Sequence, residues 1–181
     1  MRQVWALFAI LTGISAAAGA DAAAWPSGIQ AILDKTHPLE SPRGERLPLY
    51  LWPAMAPAGL DDVRAEELVR LMDMRGVAVV SNWNAGSLEK TLADALPVAR
   101  AQKKLGLPIN ICATSLLSSF FDGSPETAHV DGDGKTFFDE SFGSKTMGCP
   151  FRLEQRVAPL RDRMNQFLDA YAKAELPVGF I

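Results

Sequence analysis

Apolar positions in this chain gather into short runs, separated by longer stretches in which they recur every three or four residues. "RLPLYLWPA", "RGVAVVSNWN" and "GLPINICATS" hold the first three runs, opening at Leu47, Val77 and Leu107, an even step of about thirty residues. "ELPVGFI" holds a fourth, at Leu176. Runs of β-branched, aliphatic and aromatic residues between turn formers predict strands. Between them the period changes. In "DDVRAEELVRLMDMRG", Ala65, Leu68, Val69 and Met72 fall at helical spacing; Asp61 and Asp62 suit the positive end, and Arg75 and Gly76 close the other. In "SLEKTLADALPVARAQKKLG", Ser87 predicts an N-cap and Leu88, Leu92, Ala95, Leu96 and Ala99 share a face. Lys103, Lys104 and Gly106 end that helix, and Pro97 predicts a kink within it. "FRLEQRVAPLRDRMNQFLDAYAKAE" predicts a third helix with Leu153, Val157, Leu160, Met164, Phe167, Leu168 and Tyr171 on one side, divided at Pro159. Ahead of the first strand, "SGIQAILDK" fits a short helix lying against the side or bottom of the domain, and "THPLESPRGER" a polar linker.

The order β-α-β-α-β-loop-α-β predicts an α/β fold with parallel strands and right-handed crossovers. Two architectures satisfy it: half of a TIM (β/α)8 barrel, or a small open doubly wound sheet. Side-chain alternation favours the half barrel. Leu47, Leu49, Leu51, Val77, Val79, Ile109 and Ile111 form a set suited to lie under helices. The opposite set, Tyr50, Trp52, Ala78, Val80, Asn82, Asn84, Asn110, Cys112 and Thr114, turns polar toward the strand ends. Dry helix packing would leave those amides without partners at about 1–3 kcal/mol each, whereas the mouth of a barrel accepts them. A full barrel needs about 250 residues, and four parallel strands leave two open edges. The expectation is therefore a partial barrel domain over residues 47–181, truncated on its carboxyl side and prone to self-association through its edges, with residues 21–46 as a lead segment.

Composition adds a compartment. Arg2, the apolar stretch Val4 to Ile14 and the small residues before Asp21 predict a secretory signal peptide over residues 1–20, cleaved after Ala20, with Ala22 and Ala24 as alternatives. Its apolar core is too short to span a bilayer. Secreted or periplasmic location follows. The full chain carries a net charge of −3 and no basic run, which argues against nucleic acid or an anionic membrane as partner. In an oxidising compartment Cys112 and Cys149 could close a disulfide contributing about 3–4 kcal/mol; two buried thiols are the other reading.

Candidate chemistry collects at the strand ends. Trp52, then Asn82, Trp83 and Asn84, then Thr114, Phe121 and Asp122 combine aromatic faces with amides, a hydroxyl and a carboxylate. That mixture suits a sugar, stacking its C–H faces and bonding its hydroxyls. The alternative for Trp52 and Trp83 is ordinary packing, since large aromatics are mostly buried. The loop from Thr114 to Pro150 far exceeds the roughly 12–15 residues at which loops are usually functional or disordered. Within it "HVDGDGKTFF" reads as a hairpin turn. His129, Asp131 and Asp133 also suggest metal ligands, but the calcium-loop pattern fails at Thr136 and Phe142. No cofactor is expected. Asp122, Asp139 and Glu140 are acids within reach of the mouth, yet nothing fixes the spacing that a glycosidase pair requires.

On the strand-end patterns "YLWPA" and "SNWN" and the long loop after the third strand, residues 47–181 resemble the amino-terminal half of secreted (β/α)8 glycoside hydrolases. The resemblance implies a carbohydrate substrate. In many of those families the acid/base glutamate follows the fourth strand and the nucleophile a later one, so it assigns no catalytic residue here. A non-catalytic periplasmic carbohydrate-binding module and a metal-dependent hydrolase are the alternatives.

Overall fold

A computed structural model describes residues 24–43, 49–51, 58–84, 86–113, 116, 126–136, 138–139, 145–146, 148–149, 151–152 and 154–180. In chain order these form α1 (Ser27–Lys35), β1 (Leu49–Tyr50), α2 (Asp62–Asp73), β2 (Val77–Ala78), β3 (Ser81–Asn82), α3 (Leu88–Lys104), β4 (Ile109–Cys112), β5 (Phe138–Asp139), β6 (Lys145–Thr146), α4 (Glu154–Lys173) and β7 (Val178–Phe180). The fold is α/β with parallel strands. They pair as two small open sheets, β1-β2 and β3-β4-β7, while β5 and β6 pair antiparallel. The signal segment lies outside the described residues.

Helix boundaries follow the sequence closely because each end carries its own stop. Asp61 accepts the Arg64 amide at 2.8 Å and Ser87 accepts that of Lys90 at 3.2 Å, satisfying donors that a first turn leaves free. Gly76 and Gly106 leave α2 and α3 with φ of +71° and +66°, a conformation glycine adopts without penalty. At Gly76 a Cβ would also come within 3.2 Å of the Leu39 side chain. Pro97 is buried inside an unbroken α3. Pro159 does not divide the third predicted helix either; α4 runs through it as a single element. Pro159 falls in the second turn of α4, where the carbonyl it leaves without a donor is close to the helix start and solvent.

The alternation of the strands decides which residues meet the helices. With Leu49 beside Val77 and Ser81 beside Ile111, the residues Leu51, Val79, Ser81, Trp83, Ile109 and Ile111 share one face. Leu51 and Val79 pack with Ile29 of α1, Leu68, Val69 and Met72 of α2 and Val98 of α3. Ile109 and Ile111 pack with Trp83, Ala99 of α3 and Phe167 and Tyr171 of α4. Leu49 departs from its expected place and is 73% exposed, because the helix layer reaches this edge strand only from Leu51 onward. On α4 the buried stripe is narrower than the sequence suggests. Leu160, Met164, Phe167 and Tyr171 face the core, whereas Val157 and Leu168 are exposed. Leu168 lies a full residue step, about 100°, from Phe167 around the helix.

The run from Val77 to Asn82 is one strand by sequence and two in space. Its first half pairs with β1 and its second with β4, with a break at Val79 and Val80. There the Val79 carbonyl turns to the side chain of Gln102, which donates to it at 2.7 Å. Ahead of the sheet, the Arg64 guanidinium lies 3.6 Å from the centre of the Trp25 ring, holding the start of α1 against α2.

Candidate functional site

The stretch "SNWN" leaves β3 at the carboxyl end of the parallel sheet, and its side chains divide by parity. Asn82 belongs to the face opposite Ser81 and Ile111; Trp83 belongs to the helix face, and Asn84 follows the end of β3 toward α3. Trp83 is 0% exposed. Phe167 stacks on its indole at 4.7 Å between ring centres, with planes 12° apart, and Tyr171 meets it edge-on at 5.4 Å. Its faces are thus taken by the core, and the structure places this side chain away from any rim. The same alternation that sends Asn82 outward sends Trp83 inward, so the signal was already present in the strand's period of two.

Asn84 is occupied too. Its Oδ1 accepts the Gly86 amide at 2.9 Å and the buried Thr91 hydroxyl at 3.0 Å, so it ties the β3 exit to the first turn of α3. Asn82 differs. Its side-chain oxygen is buried and accepts no hydrogen bond. Asn82 sits opposite Cys112 in the ladder, and the Trp83 amide next to it donates to the Cys112 carbonyl at 2.9 Å. Trp52, Thr114, Phe121 and Asp122 lie outside the described residues. Of the predicted rim, Asn82 is therefore the described residue with unspent hydrogen-bonding capacity.

On the helix face of β3 lies a group of buried polar atoms that the sequence did not announce. The Ser81 hydroxyl donates to the Ala95 carbonyl at 3.1 Å. The Tyr171 hydroxyl and the Trp83 N–H are buried and lack a partner of acceptable geometry. Burial pushes the Tyr171 phenol above its ordinary value, and the nearby Ser81 hydroxyl and Trp83 N–H, which favour the anion, only partly offset this. A phenol whose folded pKa is raised keeps its full contribution below the unfolded value, near 10, and loses it as pH climbs toward the folded value. Tyr171→Phe should therefore leave stability at pH 7 within about 1 kcal/mol of the parent, since the lost hydroxyl was unbonded. It should also flatten the fall in stability above about pH 10. Urea melts at pH 7, 9 and 11 measure both effects, and an unchanged alkaline slope would refute the second.

The long loop is not featureless. Val130 bridges Thr136 and Ala128 bridges Gly148, both antiparallel, around the β5–β6 pair. In the turn, Asp131 Oδ1 accepts the amides of Asp133 and Lys135, both at 2.9 Å, and Gly134 takes φ +77°. That is the hairpin turn expected of "HVDGDGKTFF", with the Asp131 carboxylate spent on backbone. Among the described residues no group of three or more His, Cys, Asp or Glu is placed to hold a metal ion. Cys112 and Cys149 are both half-buried thiols, not joined to each other. No helix among the described residues is long and apolar enough to cross a membrane.

No family model, curated protein or solved structure matches this chain.

Proposed function

We propose that this chain forms one wall of a sugar-binding cleft in a secreted or periplasmic glycoside hydrolase of half-barrel design, with Asn82 as a hydroxyl-binding group. The observation that carries the reading is the unpartnered Asn82 oxygen, on the face opposite Ser81 and Ile111 at the carboxyl end of a parallel sheet. Parallel α/β proteins collect their ligand-binding groups at that end. A buried acceptor without a donor costs about 1–3 kcal/mol, and a sugar hydroxyl would remove that penalty. Support for the half barrel comes from strand order. Within each parallel sheet the strands lie in chain order, and α2, α3 and α4 pack on the same face. A doubly wound sheet would reverse its order at a switch point and carry helices on both faces. Trp83 braces this wall from behind, and Asn84 fixes its turn.

The expected role of these residues is binding. A glycan array probed with the protein should yield a retained sugar class, and Asn82→Ala should weaken that binding about fivefold to tenfold without lowering the melting temperature. A reducing-sugar assay on the retained glycan separates a hydrolase from a binding module. An array without any retained glycan would end the carbohydrate reading.

A further inference from the structure

A concavity lies toward the amino ends of the strands. Where β2 leaves the line of β4 to pair with β1, the gap at their amino ends opens a cavity of about 330 Å³. That is within the range of small-molecule sites, roughly 300–1,000 Å³. Val77, Val79 and Leu107 supply apolar wall. Asn110 and Gln102 also line it, at 6% and 2% exposure. Among the described residues nothing bonds the Asn110 carboxamide. Gln102 spends its amide N–H on the Val79 carbonyl and keeps an unbonded Oε1. Of the two carboxamides that line the cavity, Gln102 departs from the ordinary rule that buried polar groups are paired.

The charge at this cavity is cancelled. Arg43 and Asp73, which line it as well, bond each other through Nε and Nη2 to both carboxylate oxygens at 2.7–3.1 Å. A charged ligand would have to compete with that fork. A neutral one would not.

We propose that this cavity binds a small, neutral, mostly apolar molecule carrying an amide-like edge. A carboxamide such as that of Asn110 presents a donor and an acceptor side by side, and an amide returns the complementary pair. The apolar remainder of the ligand would meet Val77, Val79 and Leu107. Asn110 lies two residues of strand, roughly 7 Å, from Cys112, the ladder partner of Asn82, and the site stands whether or not the carbohydrate reading does.

The test titrates benzamide, with ethylbenzene as the comparison that lacks the amide, into the ¹⁵N-labelled full-length chain. Benzamide should saturably shift the side-chain amide resonances of Asn110 and Gln102. Asn110→Leu, close in volume, should weaken benzamide about fivefold to tenfold and leave ethylbenzene unchanged. Absence of a saturable shift at millimolar benzamide would overturn the proposal, as would shifts confined to other residues. Equal response to the two probes, indifferent to Asn110→Leu, would overturn it as well. Should Asn110→Leu fail to fold, the shift map of the unsubstituted chain still decides.

Discussion

Replacing Trp83 with alanine should lower the unfolding free energy by about 3–5 kcal/mol, the range for truncating a buried aromatic. The indole is fully enclosed, its stacking partner Phe167 and edge partner Tyr171 both belong to α4, and Ile109 and Ile111 close in from the sheet. Removing it separates α4 from β3 and β4 at once. The rings are rigid, and so the hole will not close by local collapse. Urea denaturation followed by tryptophan fluorescence and far-ultraviolet circular dichroism gives the number directly. A rim tryptophan behaves in the opposite way: its truncation abolishes ligand binding and leaves the melt within about 0.5 kcal/mol of the parent. A change below about 1 kcal/mol in Trp83→Ala would therefore remove this side chain from the core.

Gln102→Ala is expected to cost about 2–3 kcal/mol. One part is the Val79 carbonyl, left without its donor where the strand has already lost its ladder partner; an orphaned buried acceptor costs about 1–3 kcal/mol. The other part is lost packing between α3 and the sheet. Gln102→Leu separates the two, because it restores the volume and not the bond, so it should recover the packing part only. Equal stability of Gln102→Leu and the parent would show that the Val79 carbonyl finds another donor.

The helices were legible in the sequence because their signals are local. A period of 3.6, an Asp or Ser at the start and a glycine at the end specify α2 and α3 without reference to anything distant. Ala65, Leu68, Val69 and Met72 are indeed the buried residues of α2. Strand existence was legible as well, and with it the parallel arrangement. What escaped were the pairwise choices. No pattern in "RGVAVVSNWN" says that its first half will pair on one side and its second on the other. Ser81 and Gln102 carry no local signal of their roles, since their partners are a carbonyl on α3 and a carbonyl in the strand break, far along the chain. At the site, composition suggested an aromatic rim from Trp83, although the strand's own alternation assigned that residue to the core. Residue type outweighed position in that reading.

Both halves of the split strand are held by α3, at Gln102 near one end of the break and at Ala95 near the other. Pro97 lies between those two grips. Proline lacks the N–H that would bond the Ala93 carbonyl, so a bend falls most easily at that turn. The mutual tilt of the two ladders is therefore coupled to the curvature of a splint at its softest point. A bend at that turn would change the angle between the two ladders without any rearrangement of strand pairing.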